Sequence, residues 1–294
     1  MLTIFTPTYN RLYSLNRLYE SLCKQTDKAF EWLVVDDGST DGTEGFFQGL
    51  KQKEFVVRYV RQSNGGKHRA INRGVPLAHG EWFLIVDSDD LLADDAVETI
   101  ARHTATIEND PKFCAVVGNR VYYSDKQVIG TPCNYEILDT DFLSYRNRYH
   151  IIGDRAEIVR TSVMREYPFP EFEGEKFCTE AVVWNRMAQK YKARYVNENF
   201  YICEYQPDGL TANVALIHHD SPQGSALCFK EMSTYKQLTF HSRLIAYMAY
   251  WKYYVLCQNP CEEIRPSLKL RLIGRPLSLL YRIARAIFKR NRAN

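Results

Sequence analysis

The chain has 294 residues, of which 45% are hydrophobic, 25% charged and 13% aromatic. It is long enough to bury a sizeable core, and its composition excludes a disordered chain, a collagen and a coiled coil. The formal net charge of +3 is unevenly placed, because nine of the 38 Lys and Arg residues lie in residues 265–294, where there is no Asp or Glu. Set against 35 Asp and Glu residues, this leaves a mildly acidic body of charge −6 and a basic tail.

Short apolar runs alternate with helical patterns over about the first 110 residues. Apolar residues at helical spacing predict helices at residues 15–22, 70–77 and 96–107. Strands that alternate with helices at this spacing predict βαβ units and an α/β fold with a mostly parallel sheet. The predicted strands are residues 2–6, 32–35, 55–60 and 82–86.

Each of the four predicted strands ends in a polar or glycine-rich segment. In an open parallel sheet, ligands bind at the edge that is formed by the carboxyl ends of the strands. We therefore expect the chemistry of the protein at this edge. The candidate residues there are Thr8, Tyr9, Asp36, Asp37, Gly65, Gly66, Lys67, Asp87 and Asp89.

The alternation fades after about residue 110. Strand-like runs recur at residues 113–117, 158–159 and 200–204, and residues 216–263 have a helical, aromatic pattern. The longest apolar stretch, residues 245–257, is interrupted by a lysine and is too short to span a bilayer. The sequence therefore predicts a protein that is not embedded in a membrane.

The amino terminus and the cysteines indicate the compartment. Met1 leads directly into the first predicted strand, with no basic start and no cleavage site, so no signal peptide is predicted. The eight cysteines are scattered and include no Cys-x-x-Cys pair, which argues against a zinc site. We therefore expect free thiols and a reducing, cytoplasmic environment.

Asp87-Ser88-Asp89 is the sharpest motif in the sequence. Its two carboxylates follow an apolar run and supply the hard oxygen ligands that Mg²⁺ or Mn²⁺ prefers, with waters and phosphate oxygens completing the shell. The alternative is a polar turn that caps the next helix, although Asp94 or Asp95 could do that more simply.

Two further segments have both a functional and a structural interpretation. Asp36-Asp37 could accept hydrogen bonds from a nucleotide base or ribose, or could form an Asx-turn. Gly65-Gly66-Lys67 could bring backbone N–H groups and an ammonium near phosphates. The sequence has no P-loop, and no G-x-G-x-x-G follows the first strand, which argues against a dinucleotide oxidoreductase.

Three segments occur in order at suitable distances: Thr-Pro-Thr-Tyr-Asn-Arg at residues 6–11, Val-Asp-Asp-Gly-Ser-Thr-Asp-Gly-Thr at residues 35–43 and Asp-Ser-Asp-Asp at residues 87–90. Together they resemble the family-2 glycosyltransferases, which have the GT-A fold, a Rossmann-like, mostly parallel sheet with flanking helices, and a D-x-D metal motif. The resemblance is clear to about residue 110 and looser over residues 150–213.

The resemblance implies the transfer of a sugar, with inversion, from a nucleotide-diphosphate donor to an acceptor hydroxyl, with Mn²⁺ or Mg²⁺ as cofactor. A metal that bridges the diphosphate oxygens would neutralise the charge that develops on this leaving group. Asp87 and Asp89 would bind the metal. The donor-binding residues that it implies are Pro7, Thr8, Tyr9, Asp36 and Asp37 around the base and ribose, with Lys67, Asp87 and Ser88 near the diphosphate.

Inverting transfer also needs a base for the acceptor hydroxyl. Glu180 falls where related enzymes have a catalytic Asp, a few residues before a Trp-x-x-Arg-like helix, so the carboxylate is kept but the residue type differs. The alternative is a helix-start glutamate that interacts favourably with the helix dipole. Glu173 and Glu175 are nearby rivals for the role of the base.

Other features refine the expected activity. The Gln-x-x-Arg-Trp signature of processive synthases is absent from the sequence, which favours the addition of a single sugar. Residues 204–213 resemble a loop near the active site of related enzymes and are a candidate lid. His218 and His219 could supply a further metal ligand, although a surface pair is the simpler interpretation.

The tail has the pattern of a basic amphipathic helix. Leu277, Leu280 and Phe288 share one helical face, while Arg282 and Lys289 lie on another. This pattern favours binding to an anionic membrane surface. The alternatives are a helix that packs on the domain with a solvated basic face and, with least support because the body is acidic, nucleic-acid binding.

The sequence thus predicts a GT-A catalytic domain at residues 1–215, a helical extension at 216–263 and a membrane-surface tail at 264–294. The expected enzyme adds one hexosyl or N-acetylhexosaminyl group to a lipid-linked or surface glycan at the inner face of the cytoplasmic membrane. Two alternatives stay open. They are a non-catalytic nucleotide-sugar binding protein and a sugar-nucleotide pyrophosphorylase-like enzyme.

Overall fold

The computed structural model describes residues 1–50, 54–204 and 214–257, together with residues 272, 276 and 279. The strands of the described residues are β1 (Leu2–Thr8), β2 (Phe30–Asp36), β3 (Val56–Arg61), β4 (Trp82–Ile85), β5 (Leu91–Leu92), β6 (Phe113–Tyr122), β7 (Ile137–Thr140), β8 (Arg155–Arg160) and β9 (Lys192–Cys203). The helices are α1 (Leu12–Cys23), α2 (Thr43–Gly49), α3 (Lys67–Leu77), α4 (Ala96–Ala105), α5 (Phe142–Asn147), α6 (Thr161–Glu166), α7 (Ala181–Met187), α8 (Val214–Asp220), α9 (Pro222–Met232) and α10 (Phe240–Tyr254).

All strands of the described residues belong to one sheet, in the order β3-β2-β1-β4-β8-β6-β9-β5, with β7 paired to β9. The first four neighbours run parallel, as the βαβ pattern predicts. The second half is mixed, because β8 runs antiparallel to both β4 and β6, while β6 and β9 are parallel. The predicted α/β sheet with flanking helices is confirmed, and its parallel part is the amino-terminal half.

Helices cover both faces of the sheet, which is why every residue of β1 and β2 is buried. Phe5 and Phe83 face a core that α3, α6 and α7 close. Ile4 and Leu84, one residue along each strand, face the opposite core, which is closed by α1 and α4. The alternation of side chains along each strand therefore assigns every residue of the sheet to one of two faces.

Helix α9, against which α10 packs, is fixed to the domain by two polar ties. Arg186 of α7 forms a bidentate ion pair with Glu231 of α9, with N–O distances of 2.6 and 2.9 Å. The buried carboxylate of Glu175 accepts hydrogen bonds from the backbone N–H groups of Gln223 and Gly224, at 2.7 and 3.0 Å, and so caps the start of α9. The carboxy-terminal helices that the sequence predicts are present.

Two sequence-based predictions concern residues that lie mostly outside the described part of the chain. The candidate lid at 204–213 lies, apart from Glu204, outside the described residues, as does the amphipathic tail apart from three isolated positions. Within the described part of the chain, no helix combines the length and the apolar character that crossing a membrane requires.

Candidate active site

The sheet brings the predicted polar segments to one edge. Thr8 at the end of β1 pairs with Asp36 at the end of β2, and Asp36 pairs in turn with Arg61 of β3. β4 lies on the other side of β1 and leads into Asp87. The carboxyl ends of four adjacent parallel strands therefore meet at this edge, where open α/β sheets bind ligands.

Asp37 organises the loop that precedes α3. Its buried carboxylate accepts hydrogen bonds from the backbone N–H groups of Gly65 and Gly66, at 2.8 and 2.7 Å. The side chains of Gln62 and Asn64 donate two more, at 2.8 and 3.1 Å. These four bonds occupy the acceptor sites of both carboxylate oxygens. Asp37 therefore holds the loop before α3 in its conformation.

Gly66 must be glycine for two reasons. Its φ of +96° lies in the region that side chains disfavour, and a Cβ atom would stand 1.9 Å from the carbonyl oxygen of Lys176. The close approach joins the loop to the segment before α7. It also fixes the start of α3, whose first residue is Lys67.

Lys67 connects the Asp87-Ser88-Asp89 motif with Glu180, the candidate base. Its Nζ lies 2.6 Å from a carboxylate oxygen of Asp87 and 2.9 Å from one of Glu180. Burial disfavours the ammonium, but the two carboxylates outweigh this effect and raise the pKa of Lys67 above its usual range. The amine is therefore a fixed positive charge between the D-x-D motif and the candidate base.

Asp87 is held by its neighbours as an ionised carboxylate. Burial alone would raise its pKa, but Lys67 and Arg120, whose guanidinium lies 3.9 Å away, lower it. The backbone N–H of Asp87 donates to the hydroxyl of Tyr201 at 2.9 Å. The Arg120 guanidinium lies over the ring of Tyr201, 4.2 Å from its centroid. Side chains from β6 and β9 thus fix a turn that follows β4.

The pair Asp87 and Asp89 has the chemistry of a divalent-cation site. Burial and the negative charge of Asp87 raise the pKa of Asp89, although Arg11 lies 3.6 Å from it. A divalent cation relieves this kind of repulsion between carboxylates. The described residues contain no group of three or more His, Cys, Asp or Glu placed to hold a metal.

Asp90 ties this turn to the end of β9. Its carboxylate accepts hydrogen bonds from the hydroxyl of Tyr201 at 2.8 Å and from the backbone N–H of Glu204 at 3.3 Å. Burial has the largest effect on the pKa of Asp90 and, together with the negative charges of Asp87 and Asp89, raises it to about 7. Asp90 is the last residue of the Asp-Ser-Asp-Asp segment, and the sequence analysis assigned it no role.

The other predicted donor-binding residues differ in exposure. Asp36 is fully buried and accepts hydrogen bonds from the Ser39 N–H at 2.8 Å and the Tyr59 hydroxyl at 2.5 Å. Tyr9 is exposed, while Thr8 is buried with no hydrogen bond to its hydroxyl from the described residues. Pro7 and Ser88 are also buried. Their contacts with a donor stay predictions.

Glu180 differs in its contacts from Glu173 and Glu175, the other two candidates for the base. Glu180 directly precedes α7, is partly exposed, and shares Lys67 with Asp87. Glu173 is exposed and has no recorded hydrogen bond or ion pair to any described residue, while Glu175 caps α9. His218 is hydrogen-bonded at 2.7 Å to Ser225 and thus belongs to the contact between α8 and α9. Among the three glutamates, only Glu180 adjoins the aspartates.

Residues 3–172 match the family model described as glycosyl transferase family 2. The chain belongs to this family. A similar relative is the glycosyltransferase GlyG of Streptococcus pneumoniae serotype 4, which is 26% identical over 69% of this chain and 70% of that protein. Another is the GalNAc(5)-diNAcBac-PP-undecaprenol beta-1,3-glucosyltransferase of Campylobacter jejuni, 26% identical over 71% of this chain and 67% of that protein.

Solved structures of other proteins have the fold of this family-2 glycosyltransferase. Staphylococcus aureus TarS in complex with UDP-GlcNAc matches with a TM-score of 0.65 and 20% identity, over 86% of this chain and 71% of that one. The mannosyltransferase PcManGT of Pyrobaculum calidifontis, in complex with GDP-Man and Mn²⁺, matches with a TM-score of 0.56 and 18% identity, over 87% and 72%. The predicted family and the GT-A fold are confirmed.

Sequence reasoning missed the cations and the aromatic residue that hold the carboxylates of this glycosyltransferase. Arg120 and Tyr201 lie on β6 and β9, far from any recognised motif. Arg11 lies inside the first matching segment but was given no role. A mid-strand arginine carries no periodic signal, so only the register of the sheet shows that it reaches Asp87.

Proposed function

We propose that this family-2 glycosyltransferase transfers one hexosyl or N-acetylhexosaminyl group from a nucleotide-diphosphate sugar to an acceptor hydroxyl, with inversion. The observation that carries the proposal is the Lys67 bridge, which puts the carboxylate of Glu180 beside the D-x-D motif. A leaving-group site and a base must flank the anomeric carbon in such a displacement. In support, one lysine side chain contacts both the candidate base and an aspartate of the candidate leaving-group site.

Each residue of the site has a role in this reaction. Pro7, Thr8, Tyr9, Asp36 and Asp37 form or support the base and ribose pocket. Lys67 and Ser88 adjoin the diphosphate, and Asp87 and Asp89 would hold Mn²⁺ or Mg²⁺. A bound metal would neutralise charge that develops on the leaving diphosphate. In support, the structurally similar PcManGT was solved with Mn²⁺ and GDP-Man.

Glu180 provides the proton chemistry. The acceptor oxygen forms the new bond to the anomeric carbon while the bond from that carbon to the diphosphate oxygen breaks, and the electron pair leaves with the diphosphate. The hydroxyl proton passes to the carboxylate of Glu180, acting as general base. Lys67 keeps this carboxylate oriented through an ion pair at 2.9 Å.

The acceptor is a lipid-linked or surface glycan in this proposal. It is supported by the Campylobacter relative, whose name includes a glycan on PP-undecaprenol. The catalytic domain would span residues 1–215, with a helical extension at 216–263. A basic tail at 264–294 would hold the cytoplasmic enzyme at the inner face of the membrane.

A donor screen tests the reaction class. Thermal unfolding measured with UDP-GlcNAc, UDP-glucose, GDP-mannose and dTDP-glucose, each with and without Mn²⁺, should show stabilisation by at least one donor. A donor at a hundredfold excess over its Kd adds about 3 kcal/mol to the free energy of unfolding. The same donor should be hydrolysed or transferred. If these donors, together with the other UDP-, GDP- and dTDP-hexoses and N-acetylhexosamines, show neither binding nor turnover, the proposal is wrong.

The tail is tested separately. Deletion of residues 265–294 removes nine basic residues and no acidic one, so binding to anionic liposomes should fall by at least about tenfold, given a contribution near 1 kcal/mol per basic residue at such a surface. Affinity for the donor should not change. Liposome binding that survives the deletion would contradict the membrane role without touching the catalytic one.

A further inference from the structure

Glu157 is a carboxylate at the site that the reaction above does not use. Leu84 of β4 pairs with Ile158 of the antiparallel β8, so Glu157 lies beside Ile85, two residues before Asp87. Its neighbour two residues on, Val159, faces the core that α3 and α7 close. Because side chains alternate along a strand, Glu157 lies on the face of the sheet that also carries Lys67 and Glu180.

The surroundings of Glu157 leave its carboxylate without a direct partner. It is half-buried, and no hydrogen bond or ion pair to it is recorded from the described residues. Arg155, two residues earlier on the same face, shows the contrast, since it donates to the carbonyl groups of Ile129 and Thr131 and to the Tyr145 hydroxyl. A half-buried carboxylate without hydrogen bonds is costly unless a ligand supplies them.

The charged groups that act on the carboxylate of Glu157 include two residues of the site. Burial raises its pKa to about 7, Arg120 opposes this, and Glu180 adds to it. Weaker effects come from Arg146 of α5 and from Asp154. Glu157 is therefore within electrostatic reach of the candidate base on one side and of the arginine that adjoins Asp87 on the other.

The geometry of displacement says what occupies this space. The attacking hydroxyl and the leaving diphosphate lie on opposite sides of the anomeric carbon, so the transferred sugar must adjoin the site that Lys67, Asp87 and Glu180 form. Glu157 lies on the face of β8 that is turned to the same side of the sheet as Lys67 and Glu180. We propose, resting on the function proposed above, that Glu157 accepts a hydrogen bond from a hydroxyl of the transferred sugar and so selects the donor.

The test compares a nucleotide sugar with its bare nucleotide. For the pair that the donor screen selects, UDP-GlcNAc with UDP or GDP-mannose with GDP, binding is measured by calorimetry to the full chain and to Glu157→Gln. At about pH 8, where the carboxylate of Glu157 is mostly ionised, we expect the affinity for the nucleotide sugar to fall about tenfold, because a charge-assisted hydrogen bond is replaced by a neutral one. Affinity for the bare nucleotide should stay the same, which also shows that the variant is folded.

Glu166→Gln is the matched control. Glu166 is the last residue of α6 and forms an ion pair with Lys190, so its substitution should change the affinity for neither ligand. If Glu157→Gln loses affinity equally for the nucleotide sugar and the bare nucleotide, or loses affinity for neither, the inference is overturned. A larger effect on the KM of the acceptor than on donor affinity would also overturn it, since the hydroxyl would then belong to the acceptor. If no donor binds the unaltered chain, the proposed function itself has failed.

Discussion

Glu180→Gln should lower the rate of sugar transfer by about 10²- to 10⁴-fold, the range typical of a lost general base. Gln keeps the size of the side chain and can still accept a hydrogen bond, but it cannot take the proton of the acceptor hydroxyl. Donor affinity should change little, because Lys67 retains its contact with Asp87 at 2.6 Å. Transfer rates at saturating donor, with donor binding measured separately, would show this separation of kcat from binding.

Two neighbouring glutamates serve as controls for this experiment. Glu173→Gln should leave transfer unchanged, because Glu173 is exposed and has no recorded contact with the described site residues. Glu175→Gln should lower the stability of the fold instead, since Glu175 caps α9 with two charge-assisted bonds. Unimpaired transfer in Glu180→Gln, or its loss in Glu173→Gln, would move the base to another residue.

Asp89→Asn should remove most of the metal-dependent activity, with transfer lowered by about 10²- to 10³-fold, as for other losses of stabilisation of a leaving-group charge. The substitution removes one of two adjacent carboxylates and with it the repulsion that a divalent cation relieves. Activity measured against Mn²⁺ concentration should show a higher half-saturating metal concentration.

The control is Asp94→Asn, an exposed aspartate just before α4, which should leave the metal dependence as it was. An Asp89→Asn enzyme with an unchanged Mn²⁺ dependence would show that the metal is bound elsewhere or is not needed. Because Arg11 lies 3.6 Å from Asp89, the variant also leaves this arginine without that ion pair. Thermal unfolding of the variant would separate this effect from the loss of metal.

The amino-terminal half could be predicted from the sequence because its elements follow simple rules. An apolar run such as β2 is buried on both faces, ends at a polar turn, and is followed by a helix. The second half breaks these rules. β8 runs antiparallel beside β4, and α5 and α6 have six residues each, too few for a helical period to show. The ten-residue β6 also extends well past its apolar start.

The candidate site, like the fold, could be predicted from the sequence only in part. Motifs identified Asp87 and Asp89 and placed a carboxylate at 180, all of which the fold brings to one edge. What the motifs could not indicate is how charge is balanced there, because the balancing side chains come from distant strands, as Arg120 does. They also did not indicate that Asp37 would use its four acceptor sites within the protein. Local sequence identifies chemical groups, and only long-range register identifies their partners.

The two ties of the carboxy-terminal helices have a mechanical consequence for the reaction. One tie, at Glu175, lies five residues before Glu180, and the other, at Arg186, lies six residues after it. Both lead to α9, so the short segment that carries Glu180 is held at two points on one helix. A shift of α9 would therefore reach the candidate base through these two anchors. The carboxy-terminal helices are thus part of the frame that positions Glu180, and a chain truncated at residue 215 would lack it.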